Sequence, residues 1–258
     1  MRPWPKALLF DLDDTLWPIA PVIARAETSL HAWLRLHAPC VAERYSVEQL
    51  RARRLEMAAA DPRWRLDLGA LRRAGLAEAF AACGMDAAPV EAAMRHFFAA
   101  RNAVELYPDV LDGLRRLGAR IRLGSISNGN ADLGAIGLAS HFEVSIAASE
   151  LGCAKPDAAI FHAACAAMGV APGDAVYVGD DLLLDVQGAQ QAGLRAVWLR
   201  RDAATPAQAD GAELGAEDGE IRPDAVCADF AQLLAWLDGA HAPAPFDGQL
   251  GGRPGERA

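Results

Sequence analysis

From residue 105 onward, short apolar runs alternate with stretches of helical periodicity, and this pattern constrains the fold more than any other feature. The runs are IRLGSIS (121–127), VSIAAS (144–149), AVYVG (175–179) and RAVWL (195–199). Helical spacing lies around Val110–Leu117, Leu133–Leu138, Ala158–Met168, Val186–Ala192 and Phe230–Leu237. Strands separated by helices of this length need right-handed crossovers, which give a mostly parallel sheet covered on both faces. An earlier run, ALLFD (7–11), reads as a further strand buried on both faces. Between them, from Pro21 to Asn102, apolar residues recur every three or four positions, as in Val22, Ala26, Leu30 and Leu34, and later Leu66, Leu71, Leu76 and Phe80. About four helices and no strand are expected there. The fold class is therefore α/β, a doubly wound parallel sheet with an all-helical insertion after its first strand.

Composition excludes several classes of function. The 258 residues are 52% hydrophobic, enough for a sizeable core. A net charge of −9, with Lys and Arg scattered along the chain, argues against nucleic acid as a partner. Five cysteines without a CxxC pair fit neither a disulfide framework nor a zinc knuckle. The N-terminal MRPWPKALLF is too weakly apolar for a secretion signal, and no run is long enough to span a bilayer. A soluble cytoplasmic protein with no membrane partner is expected. Residues 201–224 read as a polar surface loop and 241–258 as a disordered tail.

The segment FDLDDTLW (10–17) sets three carboxylates within four positions at a strand end. In open parallel sheets ligands bind beyond the carboxyl ends of the strands. Asp11 and Asp13 occupy that rim, and Ser127 ends the second core strand. Asp180 follows the strand at 175–179 with Asp185 beyond, and Lys155 precedes the helix before that strand. Converging acids need a counter-charge, and hard oxygen ligands suit Mg²⁺. The expected metal ligands are Asp11, Asp13 and Asp180, with Asp185 orienting waters or Lys155 from behind. Five helical residues would point Asp180 and Asp185 apart, so a loop between them is expected. With the metal present Asp11 can attack phosphorus, and Asp13 can serve the leaving alkoxide and then the attacking water. Ser127 can hydrogen-bond a phosphoryl oxygen, and Lys155 can neutralise developing charge.

These motifs resemble the haloacid dehalogenase-like hydrolase superfamily, most of whose members are phosphatases. DLDDT looks like its DxDxT, SISNG like its serine motif, AKPD like its lysine motif, and GDDLLLD like its GDxxxxD. The resemblance covers most of residues 7–200. It implies a Rossmann-like core from 1–16 and 105–240 and a small helical cap from 17–104. It also implies that Thr15 supports the loop and the phosphate, that Asn128 and Gly129 donate from the backbone, and that the main-chain carbonyl of Asp13 binds Mg²⁺. Members that cleave carbon–halogen bonds lack the second Asp of the first motif, because a halide leaves without a proton; Asp13 is present here. The implied activity is Mg²⁺-dependent hydrolysis of a small phosphorylated metabolite through an aspartyl phosphate on Asp11. The alternatives are a phosphosugar mutase and a non-catalytic phosphoacceptor module that binds Mg²⁺.

Neighbouring residues carry weaker expectations. Asp14 is assigned to a turn or to solvent, Asp181 to the rim, and Trp17 and Pro18 to the hinge of the insertion. The histidines show no paired metal spacing. Arg63, Trp64, Arg65 and Arg101 of the insertion are candidate substrate contacts.

Overall fold

The structure is a computed structural model that describes residues 4–201 and 221–239. Among these residues a parallel sheet is built from β1 (Ala7–Phe10), β2 (Arg122–Ser127), β3 (Val144–Ala147), β4 (Ala175–Gly179), β5 (Arg195–Leu199) and β6 (Ala225–Cys227). The strand order is β3-β2-β1-β4-β5-β6. Central β1 meets β2 at Ala7↔Arg122 and β4 at Ala7↔Ala175. The order in which successive strands are laid down thus reverses beside β1, where loops from neighbouring strands part to opposite faces and leave a crevice.

Each central strand divides its side chains by parity, as a pleated backbone requires. Leu8 and Phe10 of β1 and Val176 and Val178 of β4 pack with the helices α6 (Val110–Gly118) and α11 (Phe230–Leu237). Ala7, Leu9, Ala175 and Tyr177 face α9 (Ala158–Ala167) and α10 (Gly188–Gln191) on the opposite side. Double coverage explains why β1 reads as a continuous apolar run, with all four of its residues buried.

Between β1 and α6 lie α1 (Ile19–His37), α2 (Pro39–Arg44), α3 (Val47–Ala60), α4 (Leu68–Ala82) and α5 (Val90–Arg101). Pro39 and the Ser46 capping box break into short pieces what the apolar spacing alone suggested was about four helices. These helices share an apolar interior of Ala26, Leu30, Leu34, Phe80, Met94 and Phe97. Within it, buried Glu27 of α1 is gripped by Arg51 and Arg54 of α3 and Arg72 of α4. Arg72 also lies 3.7 Å over the Phe97 ring, so one carboxylate ties three helices to a fourth.

Two short elements departed from the sequence pattern. α8 (Ala148–Leu151), which follows the short α7 (Leu133–Ile136), begins inside the segment expected as strand, and β6 forms directly after the stretch expected as loop, where no strand was expected. Residues 202–220 of that loop and the tail 241–258 lie outside the described residues. No helix among the described residues is long and apolar enough to cross a membrane.

The packing of α6 on α11 depends on Gly113, where an added Cβ would overlap the Phe230 side chain. Phe230 in turn stacks on Phe10 of β1 at 5.5 Å. Gly113→Ala is expected to destabilise the fold by about 1–3 kcal/mol, since a well-packed core cannot absorb a methyl without displacement. A urea midpoint equal to that of the parent chain would show that α6 can shift freely.

Candidate active site

Three strand ends build the site. β1 delivers Asp11, whose main-chain N–H donates to Val178 O at 2.9 Å and so registers the loop against β4. β2 ends at Ser127, and β4 ends at Gly179 and Asp180. Lys155 arrives from the segment between α8 and α9, and its main chain is clasped by one side chain. Its N–H donates to Asn128 Oδ1 at 2.8 Å, and Asn128 Nδ2 donates to its carbonyl at 3.0 Å.

The Lys155 ammonium is buried at the centre. It donates to Asp11 Oδ1 at 2.5 Å, Asp185 Oδ1 at 2.6 Å and Tyr177 Oη at 3.0 Å. Tyr177 passes the network on by donating to Ile126 O at 3.2 Å. Burial alone would lower the Lys155 pKa, but the charges of Asp11 and Asp185 outweigh it and raise it well above the usual value. This lysine is therefore a fixed cation.

The expectation of a loop between Asp180 and Asp185 is corrected. Residues Leu182–Gln187 form a wide π-helical turn in which Val186 N donates to Asp181 O at 3.1 Å. An extra residue per turn returns Asp185 toward the strand end that five residues of ordinary helix would turn it away from. Its Oδ2 accepts from Asp181 N at 3.0 Å. Gly179 makes room for it, since a Cβ there would overlap the Asp185 carboxylate.

One carboxylate oxygen from each of Asp11, Asp180 and Asp185 lies within 4.8 Å of the others. Asp11 and Asp185 contact the one ammonium and Asp180 adds a third carboxylate, and this crowding shows in the proton affinities of Asp11 and Asp180. Asp11 is pushed up to about 7, chiefly by burial, with Lys155 opposing and Asp185 adding to the rise. Asp180 is raised well above the ordinary value by burial and by the charges of Asp11 and Asp185. All-oxygen donors with excess negative charge fit a hard divalent cation such as Mg²⁺.

Asp13 stands apart from this trio. Its Oδ1 accepts from Trp17 Nε1 at 2.8 Å, and Arg101 Nη2 donates to Oδ1 at 2.7 Å and Oδ2 at 2.8 Å. Thr15 Oγ1 donates to Asp180 Oδ1 at 2.9 Å. Gly129 N donates to Ser127 Oγ at 2.9 Å, which leaves the serine hydroxyl hydrogen available to a ligand.

The neighbouring acids have local partners. Asp14 takes a positive φ of 58° and accepts from Ile19 N, and Asp181 caps Leu183 and Leu184. Of the arginines weighed in the insertion, Arg63 pairs with Asp61 at the exposed surface, whereas Arg101 is buried in the site.

Sequence reasoning missed Tyr177, Trp198 and Arg201. Trp198 Nε1 donates to Asp180 O at 2.7 Å, and Arg201 Nε donates to Thr15 O at 2.9 Å while pairing with Asp109. Tyr177 sits in a buried strand, and only the inward parity of its position relative to Lys155 could have flagged it.

Similarities to known proteins agree with this geometry. A family model of haloacid dehalogenase-like hydrolases matches residues 5–193. The 5-amino-6-(5-phospho-D-ribitylamino)uracil phosphatase of Escherichia coli is 32% identical over 199 residues, covering 76% of this chain and 83% of that one. The glyceraldehyde 3-phosphate phosphatase of Methanopyrus kandleri is 33% identical over 207 residues, covering 76% and 84%. Among solved structures, a 2-haloacid dehalogenase from Pseudomonas syringae superposes with a TM-score of 0.79 at 35% identity, covering 92% of this chain and all of that one.

In protein freed of divalent cations, these acids set the trend of stability with pH. A carboxyl of ordinary pKa 3.8 that folding raises to about 7 gives the folded chain more bound protons between those values, so stability falls as pH rises through about 7. Chelated protein is expected to lose urea resistance between about pH 5 and pH 8, and Asp11→Asn to flatten that slope. An unaltered slope in the variant would remove Asp11 as its source.

Proposed function

The chain belongs to the haloacid dehalogenase-like hydrolase family, and on that premise we propose that it is a Mg²⁺-dependent phosphatase acting through an aspartyl phosphate on Asp11. The broader statement, a phosphatase of small phosphorylated metabolites, rests on the curated phosphatase relatives. The observation that carries the finer reading is the buried Asp11 carboxylate, held by Lys155 and grouped with Asp180 and Asp185.

With Oδ1 engaged by Lys155, Asp11 attacks phosphorus through Oδ2. The P–O bond to the leaving group breaks, and Asp13 gives that alkoxide its proton. Asp13 then takes a proton from the water that attacks the acyl phosphate, releasing orthophosphate and restoring the Asp11 carboxylate. Ser127 donates to a phosphoryl oxygen, while Lys155 neutralises charge and keeps the nucleophile aimed. Asn128 acts one step back, because its side chain fixes the Lys155 backbone. Thr15 steadies Asp180 by the same logic, and Gly129 leaves the cradle open. Asp11, Asp180 and the main-chain carbonyl of Asp13 would hold Mg²⁺, whose positive charge would let a phosphate dianion approach these acids. The helices of 17–104 act as the cap that excludes water and selects the leaving group.

The likeness to a 2-haloacid dehalogenase favours a second reading, attack by the same carboxylate on a carbon–halogen bond. Asp13 weighs against it, because halide departure needs no proton donor and a carboxylate beside the nucleophile would repel a haloacid anion. A mutase differs in delivering the phosphoryl group to a second substrate hydroxyl instead of to water.

Purified protein is expected to release orthophosphate from an aryl phosphate with Mg²⁺ and to stop when the metal is chelated. Asp11→Asn should abolish turnover, and Asp13→Asn should slow it by about 10²–10⁴-fold. Chloride release from 2-chloropropionate without orthophosphate release from any ester would replace the phosphatase reading with the dehalogenase one.

A further inference from the structure

We propose that Arg101 is a catalytic residue: paired with Asp13 in the resting protein, its guanidinium turns to grip the non-bridging oxygens of the phosphoryl group under transfer. The inference rests on the phosphatase reading and adds to it a cation supplied by the helical insertion.

The first observation is an incomplete pairing. Arg101, the last residue of α5, is 1% exposed, yet only one end of its guanidinium is used. Nη2 donates to both oxygens of Asp13, while Nη1 is buried without a hydrogen-bond partner. A buried donor left unpaired is a standing penalty that a purely structural salt bridge has no reason to carry. Trp17 already donates to the same carboxylate, so Asp13 does not need Arg101 to be oriented.

The second observation is convergence. A Cβ built on Gly129 would lie 2.5 Å from Asp13 Oδ2, 3.2 Å from Ser127 Oγ and 3.6 Å from Arg101 Nη2. The missing side chain therefore marks a small volume on which an acid, a hydroxyl and a guanidinium all border. A phosphoryl group bonded to Ser127 lies within reach of the arginine. The planar fork of a guanidinium matches two oxygens of a tetrahedral oxyanion, and a dianion competes for it better than a single carboxylate does. The exchange of partners also frees Asp13 Oδ2 for the leaving group and then the water, while Trp17 still holds Oδ1. Substrate arrival and release of the acid/base thus become one event.

Orthovanadate titrated calorimetrically into the full-length Mg²⁺-loaded protein tests this without requiring turnover. Arg101→Gln is expected to weaken orthovanadate binding by about tenfold or more, the scale of a charge-assisted hydrogen bond. Arg101→Lys should recover part of that affinity, and it replaces the Gln variant should the latter fail to fold by circular dichroism. The loss should persist when Arg101→Gln is introduced into Asp13→Asn protein, where there is no carboxylate left to position. Affinity unchanged by Arg101→Gln, or a loss that vanishes in the Asp13→Asn background, would overturn the proposal and make Arg101 a prop for Asp13. If the parent protein hydrolyses phosphate esters while the variant binds orthovanadate normally, only this inference falls. If the parent protein neither binds orthovanadate nor hydrolyses any ester, the phosphatase reading falls with it.

Discussion

A single buried ammonium organises this protein's chemistry. Lys155 bridges Asp11 from β1 and Asp185 from beyond β4, with Tyr177 of β4 completing its shell. Taking an ion out of water is costly unless partners replace its hydration. Here the partners come from segments more than a hundred residues apart, so the lysine is satisfied only when the sheet is correctly assembled. Its own placement is secured by the Asn128 clasp from β2. Three adjacent strands thus meet at one positive charge, and around it the acids remain in excess.

That excess links fold to function. Carboxylates crowded at a buried strand end destabilise the fold, as the raised proton affinities of Asp11 and Asp180 express. Active sites commonly store destabilisation of this kind, which a ligand then relieves. The helical insertion answers the same field differently, by bringing Arg101 against Asp13. Two cations from different parts of the chain therefore divide the acids: Lys155 holds Asp11 and Asp185, and Arg101 holds Asp13.

The core was legible in sequence because its signals are local. Buried parallel strands leave unbroken apolar runs, and β4 and β5 begin and end where those runs do. Acids at the strand ends could likewise be read from position alone. What could not be read depends on backbone geometry or on distance in sequence. The π-helical turn at Leu182–Gln187 has no clear residue signature, so Asp185 was expected to reach the site through a loop. Arg101 was visible as a basic residue at a helix end, but its pairing with Asp13 spans 88 positions. Tyr177 looked like any aromatic in a buried strand, and Arg201 like the start of a loop. Short β6 lacked both length and alternation.

The placement of β1 has a consequence for how the chain acquires its shape during synthesis. β1 is made first but lies between β2 and β4, so it has no neighbour in the sheet until residues 122 and then 175 have emerged. β1 must wait, unpaired and wholly apolar, while the intervening helices α1 to α5 close on their own interior. Such high contact order slows folding and leaves an aggregation-prone segment exposed in incomplete chains. The helices that follow at once compact the chain between the two halves of the sheet, so that β2 finds β1 across a shorter span.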